Sequence, residues 1–150
     1  MGYCMSQHGS NIVIKSEHLP AALAAIKAMY NIVEGQSRPP SFSWVDRAPI
    51  EKAETLAQAL EEWRWEPHFG DNGDLIDLVF TGEKLGDDPD LFCNLAPFVE
   101  HGSYLEMVGE DDHRWRWVFW RGELREEHPV ITWPYESITA VGELVEGFNG

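Results

Sequence analysis

Basic residues are scarce in this chain. Lys and Arg number 11 against 26 Asp and Glu in 150 residues, a formal net charge of −15. Binding to a phosphate backbone depends on cations that release counterions, so nucleic acid is not expected as a direct ligand. Anionic lipid surfaces are disfavoured for the same reason. Cysteine is scarce as well: Cys4 and Cys93 are the only two, and they lie far apart in the chain. Two cysteines in a domain this large do not make a disulfide framework. No apolar run approaches the ~20 residues that cross a bilayer. The opening Met1-Gly2-Tyr3-Cys4 lacks a basic n-region and an apolar h-region, so the expectation is a cytoplasmic protein with free thiols.

Motifs of familiar chemistry are missing too. The six histidines stand in no H-x-x-x-H frame and the two cysteines in no C-x-x-C frame, which excludes a zinc site built from local ligands. Gly82-Glu83-Lys84-Leu85-Gly86 lacks the spacing of a phosphate-binding loop, and no Gly-x-Ser-x-Gly elbow is present. Asp71-Asn72-Gly73-Asp74 fails the alternating acids of a calcium loop and reads as a hairpin turn. The expectation is therefore no cofactor, no metal and no catalytic residue: a non-enzymatic protein.

What is present is core material. Apolar residues make up 43 % and aromatics 12 %, with 7 Trp, which excludes intrinsic disorder and predicts a single domain over residues 1–150. Residues 10–15 read as a strand. Leu23, Ile26, Met29 or Tyr30, and Val33 recur at helical spacing from Leu19 onward. Ser41–Val45 alternates and predicts a second strand; Ala53, Leu56, Leu60 and Trp63 mark a second helix. Leu75–Phe80 predicts a strand, and Asp88-Pro89-Asp90 opens a helix that Pro97 should end. Tyr104–Val108 and Arg114–Trp120 predict a hairpin, with Val130–Trp133 returning as a further strand. Residues 137–150 read as a short amphipathic helix or a loosely held tail. The order implies an α+β fold: a mainly antiparallel sheet, ferredoxin-like in flavour, with two to four helices on one face.

Two features stand out as candidate sites. The first is acidic: Asp87, Asp88 and Asp90 at a helix start, and Glu110, Asp111 and Asp112 at a hairpin tip. A folded monomer of this mass exposes roughly 7,800 Å², or about 500 Å² per net charge, against roughly 110 Å² per charge on duplex DNA. Mimicry of DNA therefore requires the carboxylates to converge on one face. The second is Arg114-Trp115-Arg116-Trp117-Val118-Phe119-Trp120. A period of two puts Trp115, Trp117 and Phe119 on one face and Arg114, Arg116, Val118 and Trp120 on the other. The first face reads as core. Trp115, Arg116, Trp117 and Trp120 are the candidates for stacking a flat ligand such as a nucleotide signal, and pairing of the arginines with Glu106 across the hairpin is the competing account.

The run Thr81-Gly82-Glu83-Lys84-Leu85-Gly86-Asp87-Asp88, with Leu95-Ala96-Pro97-Phe98-Val99, Gly102-Ser103-Tyr104-Leu105-Glu106-Met107, Gly109-Glu110-Asp111 and Trp115-Arg116-Trp117-Val118-Phe119, resembles a group of uncharacterised small bacterial, prophage and phage proteins. The resemblance covers residues 55–133 and implies a shared fold without a known activity or catalytic residues. The end of the chain also resembles ferredoxin-like modules of phage and plasmid proteins. The resulting expectation is an acidic inhibitor that occupies a basic, nucleic-acid-binding surface of a host defence complex, as an anti-CRISPR or DNA mimic does. The alternatives are a sequestering protein for a small ligand and a toxin-neutralising immunity protein. The partner is a basic protein or nucleoprotein complex, and a homodimer formed through an aromatic edge strand is a further expectation.

Overall fold

Alternating residues build the sheet, and the hydrogen bonds that join it come from both backbone and side chain. The computed structural model describes residues 2–135 and 138–141. Strand β1 (Met5–Asn11) pairs antiparallel with β4 (Tyr104–Gly109), which pairs with β5 (Arg114–Trp120), which pairs with β6 (Glu123–Glu127). Strands β2 (Trp65–Phe69) and β3 (Leu75–Phe80) form a separate antiparallel hairpin. Its turn is the expected one: Gly73 takes φ 88°, and the Asn72 side chain accepts from the Asp74 N–H.

The hairpin is attached to the main sheet along β1. Antiparallel bridges join Cys4 to Lys84 and Ile14 to Leu75. Between them the side chain of Gln7 replaces a peptide group. Its Nε2 donates to the Leu78 carbonyl and its Oε1 accepts from the Phe80 N–H, both at 2.8 Å. A β-bulge between Gln7 and Gly9 lies alongside. Counting this join, the strands run β2-β3-β1-β4-β5-β6. The first four, with helices after β1 and β3, form the split β-α-β arrangement of ferredoxin-like folds, and β5 and β6 extend it. The α+β expectation therefore holds.

Among the described residues, four α-helices have both ends defined: α1 (Leu19–Ala28), α2 (Arg47–Lys52), α3 (Leu56–Glu62) and α4 (Asp88–Leu95). Phe92 of α4 packs on Trp65, Trp117 and Phe119, with ring centroids 5.0, 5.4 and 5.9 Å away. Leu105, Met107, Ile26, Leu60 and Trp63 join the same buried cluster, so the helices cover one face of the sheet.

Several boundaries differ from expectation. Helix α1 stops at Ala28 instead of running to Val33. Met29, Tyr30 and Asn31 close on the third carbonyl back, which tightens the helix end, and Ile32 and Val33 are exposed. Phe42 and Val45 form only an isolated bridge, not a strand. The expected helix around Ala53–Trp63 is two helices, because Ala53 is extended and Thr55 opens a capping box with Gln58. Among the described residues the last strand is Glu123–Glu127, and residues 130–133 form none. Most of the expected tail helix lies outside the described residues. The aromatic strand β5 is interior, so it offers no edge for a dimer. The real edges are blunted, β2 by Pro67 and β6 by charged residues. Among the described residues, no helix is long and apolar enough to cross a membrane.

Candidate functional site at the acidic end of the sheet

The start of β1, the end of β3, the β4–β5 turn and the start of α4 meet at one end of the sheet. Tyr3 and Cys4 connect them. On one side, the Leu85 N–H donates to the Tyr3 carbonyl at 2.8 Å and the Met5 N–H to the Glu83 carbonyl at 3.0 Å. On the other, the Glu110 N–H donates to the Cys4 carbonyl at 2.9 Å, and the Cys4 N–H returns to the Glu110 carboxylate at 3.2 Å. The Tyr3 hydroxyl donates to Asp111, whose carboxylate also accepts from the His113 N–H at 3.2 Å. Gly109 leaves the room that the Tyr3 ring and hydroxyl occupy, where a Cβ would stand. The turn is closed by Asp112 at φ 65°, a conformation that Asp tolerates better than most residues.

The two acidic segments expected from the sequence therefore share one end of the molecule, but not every member is on the surface. Glu110, Asp111, Asp112 and Asp90 are exposed and Asp87 is half-buried. The Asp87 carboxylate accepts from the Ser43 N–H at 2.7 Å and so ties the start of α4 to the loop between α1 and α2 instead of capping its own helix. Asp88 has no exposed surface. Its carboxylate accepts from Arg64 at 2.9 Å, from the Trp65 indole N–H at 2.8 Å and from the Gly86 N–H at 2.9 Å. This corrects its placement among the partner-facing acids: its negative charge is matched inside the fold by a guanidinium.

The same network presents an exposed aromatic. Trp44 is 56 % exposed and sits at φ 68°, next to Arg64 at φ 73°, both in the left-handed region that costs a side-chain-bearing residue ~1–3 kcal/mol. Gly86 makes this possible, since a Cβ there would lie 2.7 Å from the Trp44 ring. Trp44, Arg64, Glu83 and Lys84 line a shallow cleft of about 170 Å³. The Lys84 ammonium lies 3.7 Å from the Cys4 sulfur. Sequence reading missed Trp44 because its alternating neighbours resemble a strand; only the left-handed backbone turns the ring outward.

The Trp/Arg set divides between two faces. Trp115 and Trp117 are 4 % and 2 % exposed and lack the open ring face that stacking requires. Arg116 lies on the opposite face, where it donates to Glu106 at 2.8 Å and sits 4.6 Å above the Tyr104 ring. Arg114 is 3.5 Å from the same carboxylate. The cross-strand account of the arginines is the one observed. Trp120 is partly exposed beside His101, with ring centroids 4.2 Å apart. Among the described residues, no group of three His, Cys, Asp or Glu is placed to hold a metal ion.

Titration of the Tyr3–Asp111 pair provides a test of how the turn is fastened. The Tyr3 hydroxyl, followed by the His113 N–H, holds the Asp111 carboxyl below its ordinary value. The Tyr3 hydroxyl is pushed up to about 12, first by its bond to Asp111 and then by desolvation and the nearby charges of Asp111 and Glu110. Asp111 therefore contributes stability above the ordinary carboxyl range that is lost as pH falls through its lowered value. Tyr3 contributes stability below pH 10.0 that is lost as pH rises towards about 12. The melting temperature of Tyr3→Phe should lie below that of the parent across the neutral range, and the gap should close at both extremes. A gap that does not vary with pH would mean that the hydroxyl contributes nothing to this fastening.

Compared with family models, curated proteins and solved structures, the chain matches none.

Proposed function

We propose that this chain is a non-enzymatic interaction protein whose acidic end occupies a basic surface on a protein partner. One observation carries the reading. Two acidic segments distant in sequence are held at the same sheet end through Tyr3 and Cys4, and the exposed ring of Trp44 lines a cleft with Glu83 beside the first of them. An exposed tryptophan near carboxylates suits a partner rich in Arg and Lys: the ring offers a cation–π contact and the acids give steering and register. The resemblance to phage and prophage proteins supports a partner class of host nucleoprotein defence complexes, whose nucleic-acid channels are basic. A toxin-neutralising role against a basic nuclease would use the same surface.

The test separates surface acids from structural ones. A variant carrying Glu83→Lys, Asp90→Lys and Asp112→Asn, which leaves the Glu110 and Asp111 carboxylates that fasten the turn, should fold as the parent does and lose binding to the captured basic partner by ~100-fold or more, because the reversals place like charges together. Parent binding should weaken steeply between low and high salt. Affinity unchanged in the reversed variant would remove this end of the molecule as the site.

A further inference from the structure

A second surface is apolar, and the chain carries a segment that matches it. Leu19, Pro20 and Leu23 of α1, Leu56 of α3 and Phe69 of β2 line an open groove of about 450 Å³, with Glu54 the only charged residue on its wall. Phe69 is 43 % exposed there. Beyond β6, residues 129–134 run without helix or strand. In that stretch and just after it, Val130, Ile131, Trp133 and Tyr135 are 84, 80, 87 and 84 % exposed. The segment 129–135 contains no charged residue. Along an extended chain, alternate residues share a face, so Ile131 and Trp133 form one apolar stripe, and the exposed Tyr135 follows where the chain turns.

We propose that this stripe docks in the groove of a second copy, so that two chains associate by exchanging their tails. Three observations favour a second copy over other occupants. First, none of the four side chains lines the groove of its own chain. Strands β6 and β2 are opposite edges of the joined sheet, ~24 Å apart at ~4.8 Å per strand, and residues 128–135 reach ~27 Å when fully extended. Reaching its own groove would take almost the whole length of the segment. Second, two copies at −15 repel each other, so a stable contact between them forms through uncharged surfaces, and the groove and the segment are such surfaces. Third, two aromatics on each of two tails bury roughly 600–1,000 Å² at ~150–250 Å² each. The groove walls add a comparable area, which brings the total to the ~1,200–2,000 Å² of stable interfaces.

Sedimentation of the full chain over a dilution series tests this. The parent should be a dimer whose dissociation constant falls as salt is added, because salt screens the repulsion between copies; binding of a basic partner at the acidic end has the opposite salt dependence. A tail variant, Ile131→Asp with Trp133→Asp, and a groove variant, Leu23→Glu with Phe69→Glu, should each weaken the dimer at least ~30-fold. Mixed in equal amounts, the two variants should form a heterodimer through the one intact pair of tail and groove. Calorimetry with a synthetic peptide of residues 128–141 and the tail variant gives a second readout that does not depend on how the groove variant folds; heat of binding is expected. A parent that stays monomeric at its highest soluble concentration overturns the proposal. So does a dimer that survives both variants, or a peptide that gives no heat with the tail variant.

Discussion

Replacing Asp88 with alanine should lower the free energy of unfolding by about 3–5 kcal/mol, the usual result of removing one member of a buried ion pair. Asp88 opens α4, and Arg64 lies between α3 and β2, so the pair joins the two connections. Removing the carboxylate leaves the Arg64 guanidinium, the Trp65 indole N–H and the Gly86 N–H without their shared acceptor. Arg64 also donates to the Lys84 carbonyl and lies over Phe80, so it cannot simply swing into solvent. For a chain of this length, ~2–4 °C of melting temperature per kcal/mol translates into a shift of roughly 6–20 °C. Urea unfolding with an unchanged slope would show that the loss is one of stability. The double variant Asp88→Leu with Arg64→Met should recover only the part owed to the unpaired guanidinium, since the Trp65 indole N–H and the Gly86 N–H still lack an acceptor. A loss under ~1 kcal/mol in Asp88→Ala would mean that Arg64 finds other partners and that the network is not what anchors α4.

Gln7→Ala should cost about 2–4 kcal/mol, although a half-buried glutamine on a strand would ordinarily matter little. Its amide supplies the Leu78 carbonyl with a donor and the Phe80 N–H with an acceptor where β1 and β3 do not pair through backbone. Two partly buried peptide groups lose their partners together, each at ~1–3 kcal/mol. Gln7→Glu keeps the acceptor for the Phe80 N–H but sets a carboxylate oxygen against the Leu78 carbonyl, so it should hold the Phe80 N–H without recovering the stability of the parent. Hydrogen exchange at Phe80 should accelerate in both variants, and far more in alanine. Exchange that stays as slow as in the parent would mean that water or a backbone shift replaces the amide.

Much of the architecture was legible in the chain. The period of two in Arg114–Trp120 separated a buried face of Trp115, Trp117 and Phe119 from a face bearing the exposed Arg114, Arg116 and Trp120, although Val118 on that second face is buried too. Asn72-Gly73 announced the β2–β3 turn, and Asp-Pro-Asp announced the start of α4. These are short-range signals: the pattern and the structure it specifies lie within the same few residues. The exceptions were also local. A capping box at Thr55 split an apparently continuous helix, and a tightening last turn ended α1 early.

Composition and periodicity express the α+β class, the surplus of acids and the faces of the strands directly. The role of individual charges depends on long-range contacts. Asp87, Asp88 and Asp90 look alike as letters. Asp88 is nevertheless buried because Arg64 and Trp65, 24 and 23 residues away, reach it in the fold. Gln7 joins a hairpin 71 residues distant, and Tyr3 holds a turn 108 residues away. Whether a polar group belongs to the interior depends on which partners reach it, and these partners lie far outside any window in which periodicity or propensity acts.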